Sequence, residues 1–441
     1  MMSEVDSLDR AIQRITEAGS ARFDHLARTL SPTDLYGLLS RLPKGGELHL
    51  HLSGCGRPED WFTVAEGDPL SRVHIPSCDE HPANDRLALA KCLPACCRRT
   101  STPFDQLSPD AQAQWLATLS IGDPHPARFF TTVVPALKWL RKNPDLIRGV
   151  LLACLERANA DNVRYLEIQT GPFGYIDHEG RPLEPSRMAD LYRETLSSAA
   201  ARATGVHTQF IVNVKRDAPD ATERLRASFR FAADNNDLWV GIHLSGPEHP
   251  DIDDLQPLHN LYWQLHQEHP QLGVAVHTGE GGPELLPRVL SALALPVSRV
   301  GHGLAAAHDS GFVAELTVRG ITVESSITSN FMLGHVPSPS SHPVGRLFAA
   351  GVGVCLSTDN PGVTGTRLTD EFFCGVRHAG LRWHEVVHAV FTSITASFAQ
   401  EPLKRHLLDQ LVTDLLAFTD DLDSCALPSE PSRFAKRHLG V

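Results

Sequence analysis

The sequence lacks any apolar run long enough to span a bilayer, which excludes a membrane-spanning helix. Its amino terminus, MMSEVDSLDRAIQRITEAG, is charged and amphipathic where a signal peptide needs an apolar core, so a cytoplasmic protein is expected. An excess of positive charge is also missing. Lys and Arg number 40 against 52 Asp and Glu, a formal net charge of −12, which argues against a general grip on nucleic-acid phosphates and for a discrete small-molecule substrate. None of the nine cysteines falls in a C-x-x-C pair, so a disulfide framework or zinc knuckle is a poor reading and reduced thiols a good one. No linker or internal repeat divides the 441 residues, and a single domain over 1–441 is expected.

What is present has the composition of an ordinary soluble enzyme, with 42% hydrophobic and 21% charged residues. Helical periodicity runs through residues 6 to 41, within an N-terminal helical region over 1–45 that carries a cap at Ser31 or Thr33. Eight short apolar runs follow: ELHLHL (47–52), VRYLEI (163–168), TQFIVNV (208–214), LWVGIHL (238–244), LGVAVH (272–277), SRVGH (298–302), ITVESS (321–326) and VGVCLST (352–358). Most of the spacers are helical in pattern. Alternating strands and helices predict an α/β protein, a (β/α)8 TIM barrel with N-terminal helices, a long helical insertion after strand 1 and C-terminal helices. The open doubly wound alternative is weakened because no Gly-rich nucleotide turn follows the first run. The insertion, residues 56–160, contains a Pro- and Cys-bearing stretch with Cys78, Cys92, Cys96 and Cys97, then helices predicted at 108–119 and 133–157. Such an excursion from a barrel serves as a lid region.

Barrel chemistry sits at the carboxyl ends of the strands, so the polar residues there are the ones that matter. The first run ends HLHLSG, the fifth HTGE, the sixth GHG and the eighth STDNP. His49 and His51 share one face of a strand. Taken alone, a His-x-His pair is more often two half-exposed strand positions than a ligand pair. With His277 and Asp359 on the same rim, the set offers three imidazole nitrogens and one carboxylate oxygen, suited to one Zn²⁺ per chain, with Fe²⁺, Mn²⁺ or Co²⁺ also tolerated. A bound metal brings the pKa of water towards neutrality. Glu280, three residues beyond His277, is placed to give and take a proton. His302 is placed to orient or deprotonate the water, with Glu324 supporting it. Lys215 and Arg216, ending the third run, are equally a phosphate contact or solvated charges. His243 fits no ligand spacing and is read as structural, and Trp61, Phe62, Phe129 and Phe130 are read as core or lid packing.

With these residues in view, the chain resembles the adenosine deaminase family of the amidohydrolase superfamily. The motifs that carry the resemblance are PKGGELHLHLSG (43–54), YLEIQTGP (165–172), HTGE (277–280), RVGHG (299–303), ESSITSN (324–330) and STDNP (357–361). The resemblance implies zinc-dependent hydrolytic deamination at C6 of a 6-aminopurine nucleoside, nucleotide or derivative. His49, His51, His277 and Asp359 match the metal ligands, Glu280 the carboxyl that protonates purine N1, and His302 the histidine that positions the attacking oxygen. Gly246, in LSGPE, matches the glycine whose backbone contacts the ring.

The chain also departs from the family pattern. Ser53 stands where an acidic residue commonly contacts ribose hydroxyls, which opens the pocket to a 5′-phosphate or another altered 5′ group, as in the branch acting on N6-methylated nucleoside monophosphates. Asn360 replaces a second Asp facing N7 and still donates to it through its amide. Gln169 replaces an Arg, and LSGPE a common LAGDE. The alternatives are another C–N amidohydrolase of the superfamily or a catalytically silent purine-binding protein.

Overall fold

In the computed structural model, which describes residues 4–63, 73–76, 88–89, 101–103, 106–177, 181–251, 255–422 and 430–441, the eight apolar runs form one sheet. Its strands are β1 (Gly45–His51), β2 (Val163–Gln169), β3 (His207–Lys215), β4 (Trp239–Ser245), β5 (Gly273–Thr278), β6 (Arg299–His302), β7 (Thr322–Ser325) and β8 (Val354–Leu356). Neighbours in sequence pair in parallel all the way from β1 to β8. The ring closes where Asp359 meets β1: His51 donates its N–H to the Asp359 carbonyl at 3.0 Å, and Asp359 donates to the His49 carbonyl at 3.0 Å. The expected barrel is therefore closed by backbone bonds at the very residues singled out as metal ligands.

Helices Glu4–Thr29 and Pro32–Arg41 precede the barrel, and Ser31 caps the second by accepting from the Asp34 amide at 3.1 Å. In the insertion, the helix expected over 133–157 is two helices, Val134–Leu140 and Pro144–Ala160. Pro144 has no N–H with which to continue the first helix, and the Asn143 side chain starts the second by accepting from the amides of Asp145 and Leu146. The insertion also carries a small antiparallel sheet of Val73–Pro76, Ala88–Leu89 and Ser101–Pro103, which apolar patterning did not predict. Cys78, Cys92, Cys96 and Cys97 lie outside the described residues, as does the Phe62 side chain. Of the aromatic residues read as packing, Trp61 and Phe129 are buried whereas Phe130 is exposed. After the barrel come helices Trp383–Thr395 and Glu401–Asp420. Among the described residues no helix is long and apolar enough to cross a membrane.

The barrel interior below the rim is charged. Arg299 donates to Glu324 at 2.6 Å, to Glu167 at 2.7 Å and to the Ala396 carbonyl at 2.9 Å, and lies 3.6 Å from the centre of the Phe398 ring. Phe398 enters between two glycines: a Cβ on Gly273 would fall 2.2 Å from its ring, and one on Gly241 2.6 Å. The small residues on β4 and β5 make room for the ring that covers the buried cation.

Candidate active site

Because β-strand side chains alternate, His49 and His51 both point into the barrel mouth, where β5 brings His277 and the turn after β8 brings Asp359. The ligand-type atoms of these four residues lie within 4.8 Å of one another. His51 Nε2 is 3.2 Å from His277 Nε2 and 3.3 Å from Asp359 Oδ1, and His49 Nε2 is 3.7 Å from Asp359 Oδ1. Tetrahedral coordination with bonds of about 2.0–2.1 Å sets ligand atoms about 3.3 Å apart. His49 Nε2 and Asp359 Oδ1 are buried and have no hydrogen-bond partner among the described residues, a costly arrangement unless a cation joins them. The donor set thus fits a divalent metal. Burial, with His49 adding to it, pushes the pKa of His277 well down, and burial pushes that of His51 down to about 4, so both offer neutral nitrogens near pH 7. Burial opposes a proton on His49 as well, yet its hydrogen bond to Glu324 holds its pKa above the usual value.

Each imidazole is backed by a different group. Glu324 lies 2.6 Å from His49 Nδ1, so it supports His49 and Arg299 and not, as expected from sequence, His302. His243, read as merely structural, places Nε2 2.7 Å from His277 Nδ1 and thereby orients that ring. The Asn213 amide lies 3.4 Å from His51 Nδ1, donates to Gln169 at 2.7 Å and accepts from Ser245 at 2.6 Å, which places the unusual Gln169 in the support of His51. Ser329 donates to Asp359 Oδ2 at 2.7 Å. A Cβ on Gly301 would sit 2.5 Å from His49 Cε1. Gly301→Ala is therefore expected to displace the His49 ring and weaken metal affinity about tenfold or more, measured by competition with a chelator. Parent-like affinity would contradict this account of the glycine.

Glu280 and His302 meet across the rim, with Glu280 Oε1 3.5 Å from His302 Nε2 and 3.7 Å from His335 Nε2. Burial pushes the Glu280 carboxyl up to about 7, with Asp359 and Glu248 adding to the effect and His335 opposing it. Its backbone is held from below: Glu248 accepts from the Glu280 amide at 3.0 Å and from Thr278 Oγ1 at 3.0 Å. Arg216 lies 3.7 Å from Glu248, is buried, and donates to the His277 carbonyl. Of the two cations considered for a phosphate, Arg216 is thus engaged inside the loop structure, whereas Lys215 is exposed. Non-glycine residues at positive φ are uncommon, and two of the three described here are His302 (+66°) and Asp359 (+64°).

Residues 103–414 match the family profile described as Adenosine deaminase. The chain belongs to the adenosine deaminase family. As a member it is a hydrolytic deaminase of the amidohydrolase superfamily. An adenine deaminase of Chelativorans sp. (strain BNC1) is 30% identical over 261 residues, 58% of this chain and 76% of that protein. An adenosine deaminase of Clostridium acetobutylicum is 26% identical over 372 residues, 84% of this chain and 97% of that protein. The apo N6-methyl-AMP deaminase of Arabidopsis thaliana superposes with a TM-score of 0.64 at 21% identity, covering 86% of this chain and 98% of that one, a likeness of fold.

Within this family frame, the three expected pocket residues all lie on the carboxyl-terminal rim. Ser53 is half-buried in the helical turn Leu52–Cys55 directly beyond His51. Asn360 caps Pro361–Thr364 through its carbonyl, and its Oδ1 packs so close to Gly54 that a Cβ there would fall 1.9 Å away. Gly246 directly follows β4 at φ +115°, where a Cβ would lie 2.9 Å from Asp217 Oδ1. Sequence reading missed Asn213, Glu248, Ser329, Asn330, His335 and His342. The period-2 alternation of β3 places Asn213 on the inward face and was a usable signal, and Ser329, Asn330 and Glu248 lie within the quoted ESSITSN and LSGPE stretches, whereas His335 and His342 carried none.

Proposed function

We propose that this deaminase is zinc-dependent and removes the 6-amino group of an adenine-containing nucleoside, nucleotide or derivative. The observation that carries the reading is the half-buried carboxyl of Glu280 beside a cluster of His49, His51, His277 and Asp359 that fits one metal ion. The relatives named as adenine and adenosine deaminases support an adenine ring and differ in what the ring carries.

In this reading the four clustered residues hold the metal, which when bound supplies Lewis acidity and lowers the pKa of water. Glu280, retaining its proton near neutrality, donates it to purine N1 and leaves C6 short of electrons. His302 orients the attacking water from its fixed place at the end of β6. One water proton leaves with the amino group as ammonia when the C6–N bond breaks, and the other returns to Glu280, so the carboxyl ends as it began. Gly246 presents backbone to the ring, Asn360 donates its amide to N7, and Ser53 faces the sugar or 5′ substituent.

The test is ammonia or amine release by zinc-loaded protein from adenine, adenosine, 2′-deoxyadenosine, AMP, N6-methyl-AMP and 5′-modified adenosines. Release from at least one, abolished by chelation and restored by zinc, is the expected result. Silence across the panel would reject the substrate class and turn attention to other C–N amidohydrolase substrates.

A further inference from the structure

Behind His302 runs a chain of hydrogen bonds that starts from a group of fixed polarity. The backbone N–H of Val344 donates to His342 Nδ1 at 3.2 Å. A neutral ring that accepts at Nδ1 carries its proton on Nε2, and His342 Nε2 lies 3.1 Å from Asn330 Oδ1. With its oxygen so engaged, the Asn330 amide turns its NH2 to His302 Nδ1 at 3.1 Å. His302 Nδ1 then accepts, and its proton resides on Nε2. Asn330, His302 and His342 are 0%, 1% and 5% exposed, so water does not compete along the chain. Burial pushes the pKa of His342 down to about 3, which keeps that ring neutral near pH 7. The Asn213 group behind His51 differs, because Gln169 and Ser245 can each exchange donor for acceptor and no backbone group sets their sense.

We infer that Asn330 and His342 are positioning residues that hold His302 as its Nε2–H tautomer, so that His302 meets the reacting water as a hydrogen-bond donor and not as a base. His302 Nε2 has no hydrogen-bond partner among the described residues and points to the Glu280 carboxyl at 3.5 Å, where the reactants gather. The inference rests on the deaminase reading of this site and decides between the two roles that sequence left to His302, orienting water or deprotonating it. If His302 only donates, the water protons pass through the Glu280 carboxylate once it has given its own proton to N1. The O–C6 bond forms, one proton goes on to the departing nitrogen, the C6–N bond breaks, and the remaining proton stays on Glu280.

The experiment uses full-length, zinc-loaded protein labelled with ¹⁵N in histidine, with His302 assigned by its loss in His302→Gln. Long-range ¹H–¹⁵N spectra near pH 7 should show an unprotonated Nδ1 and a protonated Nε2. Asn330→Asp offers His302 only acceptor oxygens, so Nδ1 should gain a proton and the pattern change. Turnover should then fall about 30-fold or more with KM within about threefold and zinc content unchanged, as expected when a catalytic imidazole is held in the wrong tautomer. His342→Gln keeps a donor towards Asn330 and should stay within about threefold of the parent. If Asn330→Asp does not fold, Asn330→Ala replaces it and should lose the single-tautomer signature. An unprotonated Nε2 in the parent, or an Asn330 variant that moves neither spectrum nor turnover, overturns the inference. The spectra read the tautomer without any substrate, so a silent substrate panel would reject the deaminase reading and leave this assignment to be judged on its own.

Discussion

Glu280→Gln is expected to lower turnover by roughly 10³- to 10⁴-fold while zinc content stays at the parental level. The side chain keeps its size and can still hydrogen-bond a ring nitrogen, but it has no proton to transfer. The loop that carries it should not move. Gly279, at φ +61°, turns the chain, the Thr278 carbonyl accepts from Gly303 at 3.1 Å, and Glu248 holds the residue-280 amide at 3.0 Å through the backbone. None of these contacts uses the Glu280 carboxyl. The loss should therefore appear in kcat, with KM nearly unchanged, because the missing interaction exists only as the proton moves. Steady-state ammonia release paired with metal analysis checks the prediction. Turnover within tenfold of the parent would mean that protonation of the ring comes from elsewhere, with His335, 3.7 Å from the same carboxyl oxygen, the first residue to examine.

The second large effect concerns stability. Arg299→Met should destabilise the fold by about 3–5 kcal/mol, read as a lowered midpoint of chemical unfolding. Arg299 and both of its carboxylate partners, Glu167 and Glu324, are fully buried, and one cation faces two anions. Removing the cation leaves two carboxylates in the barrel interior with no water to solvate them, and methionine offers no donor in exchange. Most of the cost is that exposed mismatch and not the net worth of the ion pairs, so adding Glu167→Gln to Arg299→Met should recover part of the loss. Because Glu324 also holds His49 at 2.6 Å, the variant should bind zinc more weakly as well. A midpoint within error of the parent would show that the interior charges are compensated by groups other than Arg299.

The adenosine deaminase family was readable from short motifs because each compresses a strand end and the turn beyond it, the places where a barrel does its chemistry. HLHLSG, HTGE, GHG and STDNP name the four clustered residues, Glu280 and His302 with no reference to distance. Strand limits were equally accessible, since buried parallel strands are continuous apolar runs that stop where polar rim residues start. The supporting residues were not. Glu324 was assigned to His302 by its position at the end of β7, yet it bonds His49 and Arg299, because the ring of strands sets which inward side chains meet and sequence order does not. His243 looked like an ordinary core histidine until β5 placed His277 beside it. Arg216, read as equally a phosphate contact or a solvated charge, is buried and bonded to the His277 carbonyl.

The residue types at the strand ends settle the reaction class, because metal ligation and proton transfer depend on side-chain chemistry that a sequence states outright. Orientation is another matter. Whether His302 donates a hydrogen bond to the water or takes a proton from it follows from Val344, His342 and Asn330, a path that runs from a backbone amide through two buried side chains. Hydrogen-bond direction depends on which groups are in contact and which of them are fixed, and only the folded chain brings those groups together.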